Sequence, residues 1–239
     1  MIGLVSADFA RRQDRYRAAR SFMRDVLIRG IAFRILAHVS VEGLDSIPPS
    51  GPTILMINHI AAIDPVVVMG VVRPRFVVPM SKIENFRIPL VGLGMRLWGM
   101  YSVQRGAVDR TALQNTVELL KGGNLVLISP EGHRQPALGR GKDGLVYTAL
   151  KAEATIVPCG VDGTRDFPKT LLKLRPTPIC VRIGRAFRLR GSDHNHVPRA
   201  EISRMTQEAM YQLATLLPEH RRGTYSDLSQ MTTDRIEFV

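Results

Sequence analysis

Cysteine is almost missing: Cys159 and Cys180 are the two cysteines in 239 residues. Two thiols cannot staple a small fold. Neither stands in a C-x-x-C pair or beside a histidine in sequence, which argues against a disulfide scaffold or a zinc ribbon. Both read as small apolar residues at strand positions, and such sparse usage fits a reducing, cytoplasmic compartment. Aromatic residues make up 6% of the chain and are not interleaved with the basic ones, so the stacking platform of a single-stranded nucleic-acid binder is lacking. No apolar run reaches the roughly 20 residues of a bilayer crossing. The best candidate, 22–39, is cut by Arg24, Arg29 and Arg34, and central arginines are costly in hydrocarbon. Residues 1–10 lack a basic start followed by an apolar block, so no secretory signal is expected. There is no G-x-S-x-G nucleophile elbow, and no internal repeat. His194-Asn195-His196 has no third ligand nearby in sequence and reads as a polar surface loop, so no metal is expected.

Acidic residues are also scarce relative to basic ones. The formal charge is +12 and the isoelectric point about 10.5. A polyanionic partner follows: an anionic membrane surface, a phosphorylated substrate or a nucleic acid. The shortage of stacking aromatics ranks the first two ahead of nucleic acid. An apolar content of 45% and a length of 239 residues suit one large α/β domain with a sizeable core. Residues 6–40 hold eight arginines against three aspartates, a net charge of +5. This segment reads as helix, yet its apolar residues surround a wheel drawn at 3.6 residues per turn. Two placements stay open: a bilayer interface with snorkelling arginines, or packing on the main domain with the arginines at the rim. The expected division is 1–40 as a basic, apolar helical segment and 41–239 as the main α/β domain.

Within 41–239, apolar β-type runs alternate with helical patterns. Thr53 to Ile57, Phe76 to Val78, Leu125 to Ile128, Thr155 to Val157, Ile179 to Ile183 and Ala186 to Leu189 read as strands. Helices are expected after Pro65, over 109–121 with Asp109 as cap and Gly122-Gly123 as stop, over 144–153 and over 199–217. The tail after Pro218 reads as loosely held. The alternation predicts an α/β fold, a mostly parallel sheet flanked by helices, with the N-terminal helical segment associating with membrane.

The chemistry-bearing residues follow strand ends. His59 follows 53–57, and Asp64-Pro65 reads as an N-cap with proline at the first helical position. A turn between them lets the carboxylate fold back on the imidazole and fix its tautomer. Glu131, Gly132 and Arg134 follow 125–128. Ligands in such sheets gather at the carboxyl ends of the strands. A basic nucleic-acid-binding protein would account for the charge but leaves His59, Asp64 and Glu131 idle. Arg165 to Arg190 is a further basic run opposed only by Asp166, either a solvated face or a surface for anionic headgroups or donor phosphates.

Four blocks occur in order: Asn58-His59 with Asp64, Arg105-Gly106, Pro130-Glu131-Gly132-His133-Arg134 and Ile156-Val157-Pro158. Together they resemble the glycerolipid acyltransferase family, of 1-acylglycerol-3-phosphate acyltransferase type, over about 58–158. The resemblance implies transfer of a fatty acyl group from acyl-CoA or acyl-carrier protein to the hydroxyl of a lysophosphatidate-like acceptor. His59 would be the general base and Asp64 its partner. Glu131 would hold the acceptor's polar head, and Arg105 and Arg134 its phosphate. Glycerol-3-phosphate, another lysophospholipid or a glycolipid remain as acceptors, and no cofactor is implied beyond the acyl co-substrate. The expected location is the cytoplasmic face of an anionic membrane, held peripherally. The chain departs from the family at His133, where threonine or serine is usual, and at Ser129, where phenylalanine is common.

Overall fold

A computed structural model of the chain describes residues 9–10, 12–104, 109–170, 172, 175–190 and 197–239. Arg105 and the His194–His196 loop therefore lie outside the described residues. The strands are β1 (Ala37–Glu42), β2 (Thr53–Ile57), β3 (Val77–Lys82), β4 (Tyr101–Val103), β5 (Leu125–Ile128), β6 (Thr155–Asp162), β7 (Thr177–Ile183), β8 (Phe187–Leu189) and β9 (Ile236–Phe238). The main helices are α1 (Asp64–Val71), α2 (Pro89–Trp98), α3 (Arg110–Lys121), α4 (Gly144–Ala152) and α5 (Arg199–Ala214).

The strand order is β1-β7-β6-β2-β5-β3-β4, with β8 against β6 and β9 against β8. Every pairing is parallel except β6 with β7, β6 with β8 and β8 with β9. This is the mostly parallel α/β sheet the sequence predicts. Side chains alternate across it with period two. Ile54, Met56, Val126 and Ile128 enter one core with α3, α4 and α5, while Leu55, Ile57, Leu125 and Leu127 enter the other with α1 and Trp98. Cys159 is buried on β6 and Cys180 half-buried on β7, both unpaired.

The expected cap and stop of α3 are found: the Asp109 side chain accepts from Ala112 N–H, and Gly122 follows the last turn. Three expectations are corrected. The tail after Pro218 is ordered, since β9 pairs antiparallel with β8 and both Tyr225 and Ile236 are buried. Alternating Ile236-Glu237-Phe238 carries the strand signal, but three residues are too few to distinguish from a polar tail by pattern alone. β1 begins at Ala37 and pairs with β7, so a boundary at residue 40 would cut a sheet strand.

The third correction concerns the N-terminal helix. It is wound as π-helix over Phe22–Ala32 and ends at Ile35. This wider winding explains the untidy wheel. At the roughly 4.4 residues per turn that i→i+5 bonding implies, Phe22, Val26, Leu27, Ile31 and Ile35 fall on one stripe, and all five are exposed. Three arginines turn the other way, into the protein. Buried Arg20 donates from Nε to Trp98 O at 2.7 Å and from its guanidinium to Gln13 Oε1. Burial lowers the Arg20 pKa to about 10. Arg29 donates to Gly70 O at 3.1 Å, and Arg24 lies over the Phe76 ring at 4.6 Å. Gly70 leaves room for this packing, because a Cβ there would stand 2.5 Å from Ile28 Cγ2 and Phe33 Cζ. The segment is thus seated on the α/β domain by Arg20, Arg24 and Arg29 and presents its apolar stripe outward.

Candidate active site

β6, β2 and β5 are neighbouring parallel strands, with β2 in the middle. Their carboxyl ends deliver three loops to one edge. Asn58 clamps two of these ends. Its Nδ2 donates to Val161 O and its Oδ1 accepts from Val161 N–H, each at 2.8 Å, extending the β2–β6 ladder by a side chain.

His59 follows. Asp64 does not cap α1: Ile63 occupies the cap position and no side chain bonds the helix start. The Asp64 carboxylate, 0% exposed, turns back into the 59–61 turn instead. Its Oδ2 is 2.9 Å from His59 Nδ1 and accepts from Ile60 N–H at 2.6 Å and Ala61 N–H at 2.8 Å. A carboxylate acceptor makes Nδ1 the protonated nitrogen, which leaves the lone pair on Nε2. The His59 side chain is 12% exposed, and among the described residues no group bonds Nε2. The geometry is that of an oriented base.

Glu131 behaves differently from the headgroup ligand that the resemblance implies. It is 1% exposed. Its Oε1 accepts from His59 N–H at 3.2 Å and its Oε2 from Gly139 N–H at 3.1 Å. Burial raises its pKa, opposed by those two backbone bonds and by the nearby imidazoles. The carboxylate ties the histidine's own main chain to the loop that follows β5. A second tie runs the other way, from Gln135 N–H to His59 O at 2.8 Å.

Gly132 has φ +73°, and a Cβ there would meet Lys142 Nζ at 2.7 Å. Glycine thus serves both the turn and the approach of that ammonium. His133 Nδ1 lies 3.0 Å from Glu131 O, and its Nε2 lies 3.0 Å from Gln135 Nε2. An amide N–H₂ can only donate, so His133 carries its proton on Nδ1 and is held along the loop. Arg134 is exposed, and beside it opens a cleft of about 200 Å³ lined by Ile60, Arg134, Gln135, Pro136 and Arg165.

Sequence reasoning placed His59, Asp64, Glu131 and Arg134 at one sheet edge, and the structure brings them together. It missed the clamp made by Asn58, the rim residue Gln135 and the distinct place of Arg165. Three arginines of the 165–190 run have partners of their own. Arg182 pairs with Glu42 at 3.4 Å, Arg185 lies over the Phe238 ring at 4.9 Å, and Arg188 donates to Thr155 Oγ1 at 3.3 Å. The cue for Arg165 was its position just beyond β6 and Gly163.

A family model for acyltransferases matches residues 38–162, just over half of the chain. The chain belongs to the acyltransferase family. Its matched region holds β1 to β6, His59, Asp64, Glu131 and Arg134. The chain is 30% identical over 137 residues to a 1-acyl-sn-glycerol-3-phosphate acyltransferase of Borreliella burgdorferi, covering 54% of this chain and 53% of that one. A protein of the same name from Chlamydomonas reinhardtii is 27% identical over 201 residues, covering 80% of this chain and 56% of the relative. The chain thus spans about half the length of these two curated relatives. The crystal structure of the 1-acyl-sn-glycerophosphate (LPA) acyltransferase PlsC from Thermotoga maritima superposes with a TM-score of 0.63. That match is 23% identical, covers 86% of this chain and 81% of that one, and shows the shared fold.

Proposed function

We propose that this protein transfers a fatty acyl group from an acyl thioester to the hydroxyl of a lysophosphatidate-like acceptor. The observation that carries the proposal is the His59–Asp64 pair at 2.9 Å, in a turn whose next residue, Ile60, lines a cleft with Arg134. The names of the relatives point to the same acceptor class. In this mechanism Nε2 takes the acceptor's hydroxyl proton as the oxygen attacks the thioester carbonyl carbon. Asp64 stabilises the imidazolium that forms. The tetrahedral intermediate collapses, the C–S bond breaks, and the imidazolium returns the proton to the departing thiolate. The attack is direct, since Cys159 is buried on β6 with its thiol pKa pushed up to about 12. Incubating pure protein with labelled acyl-CoA or acyl-carrier protein and a panel of lysophospholipids, glycerol-3-phosphate and glycolipids tests the proposal. Transfer to lysophosphatidate is expected; labelling of no acceptor overturns it.

We further propose peripheral attachment to an anionic membrane, since acceptor and product are lipids. No described helix is long and apolar enough to cross a bilayer. Support comes from the outward stripe of the N-terminal helix and from α2 beside it, where Ile88, Leu90, Val91, Leu93 and Leu97 are exposed, Leu90 at 84%. A Cβ at Gly94 of α2 would lie 3.8 Å from Met23 Cε, so the two helices are adjacent. With Arg20, Arg24 and Arg29 engaged inward, burial of apolar side chains carries most of the attachment, and high salt should release only a minor part. Leu90→Glu should lower vesicle partitioning about tenfold, because burying a leucine contributes roughly 1.5–3 kcal/mol. Co-sedimentation with anionic vesicles measures this; an unchanged bound fraction removes α2 from the membrane face.

A further inference from the structure

We infer that Arg165 is a second cation of the acceptor site, and that it and Arg134 grip one phosphate monoester from opposite loops. The inference rests on the acyltransferase reading for the identity of the ligand. The anion site itself rests on geometry alone.

Arg165 sits in the turn Thr164–Asp166 just past β6. Its place is set by the backbone. Gly163 has φ +90°, and a Cβ there would meet Pro178 O at 2.1 Å, so the strand can leave the sheet only through glycine. Thr164 is buried beneath the turn. Because β6 runs parallel to β2, this turn comes out beside the His59 turn, and Asn58 locks the two strand ends together.

Arg134 comes to the same cleft from the β5 loop. The cleft is lined by two arginines and Gln135, with Ile60 and Pro136 as its apolar members. A cleft of about 200 Å³ has room for a glycerol phosphate.

Neighbouring acids do not neutralise the two arginines: Asp166 adjoins Arg165 in the chain and is exposed, but among the described residues no ion pair joins them. Asp162 is paired to Arg221 Nε at 2.8 Å. Glu131 gives both oxygens to main-chain N–H groups. Among the described residues neither Arg134 nor Arg165 has a hydrogen-bond or ion-pair partner. Two arginines lining one cleft without a counter-ion form a ready site for a dianionic oxygen cluster.

The rim is also rigidly placed relative to the base. Gln135 N–H bonds His59 O, and Pro136 O accepts from Arg221 Nη1 at 2.8 Å. A phosphate held there is therefore indexed to Nε2, as acceptor positioning requires.

The test compares Arg165→Ala, Arg165→Lys and wild type in three measurements. These are steady-state kinetics with lysophosphatidate and with its dephosphorylated monoacylglycerol, the KM of the acyl donor, and calorimetric titration with sn-glycerol 3-phosphate. Arg165 is exposed, so the variants should fold, and thermal melting checks that they do. Arg165→Ala should raise the lysophosphatidate KM about tenfold with kcat nearly unchanged, as loss of a uniform-binding contact does. Affinity for sn-glycerol 3-phosphate should fall in the same proportion, with Arg165→Lys intermediate, and monoacylglycerol kinetics should not move. An unchanged lysophosphatidate KM and an unchanged titration would overturn the inference. A rise confined to the donor KM would overturn it as well, by assigning the cleft to the donor's phosphates. If wild type acylates no acceptor while Arg165→Ala still weakens glycerol phosphate binding, the anion site stands and the catalytic reading fails.

Discussion

Replacing His59 by alanine is expected to lower kcat for acyl transfer at least about a hundredfold, the lower range of general-base contributions. Among the described residues the His59 imidazole is held on Nδ1 by Asp64 and left without a partner on Nε2, whereas both ring nitrogens of His133 are engaged. Glu131 cannot substitute, because its carboxylate is buried and bonded to the main chain at His59 and Gly139. Those bonds involve the His59 backbone N–H, which alanine retains, so the turn should survive and melting should change little. The KM for acceptor should also hold, since the arginines are untouched. Near-normal turnover in this variant would sink the general-base mechanism while leaving family membership intact.

How far the sequence could be read follows from which signals are local. The run 53–57 before His59 and the run 125–128 before Glu131 are short, apolar and bounded by turn residues, so both strands and the sheet edge they share were visible. That Asn58 reaches across to Val161 was not, because a side-chain bond over a hundred residues leaves no periodic trace. The N-terminal helix misled for a different reason. A wheel drawn at 3.6 residues per turn scatters Phe22, Val26, Leu27, Ile31 and Ile35, and only the wider winding gathers them on one stripe. Arg20, Arg24 and Arg29 then proved to be inward anchors, a role that composition does not give to arginine by default. Charge counting likewise treated Arg165 as one member of a basic run. What distinguishes it is its place in the cleft beside Arg134, where Asp162 and Glu131 spend their own oxygens elsewhere.

Asp64 allows charge and geometry to be separated. Three donors converge on Oδ2, whereas Oδ1 is buried without a partner among the described residues. Asparagine can place its single oxygen at the Oδ2 position and keep all three bonds. Its amide N–H₂ then lies where Oδ1 was, buried and without an acceptor among the described residues, at a stability cost of roughly 1–3 kcal/mol. Asp64→Asn should therefore keep the 59–61 turn and the Nδ1–H tautomer while removing the negative charge. That charge matters only once His59 has taken a proton. Opposite charges about 4 Å apart at an effective dielectric near 20 interact by roughly 4 kcal/mol, enough for a loss of about a hundredfold or more. So kcat should fall by at least about a hundredfold with little change in acceptor KM. Asp64→Ala should lose as much activity and more stability, because each buried N–H left without an acceptor costs roughly 1–3 kcal/mol. Melting curves and kinetics on the two variants separate the effects. Full activity in Asp64→Asn would mean that the carboxylate only positions the histidine and that its charge takes no part in the reaction.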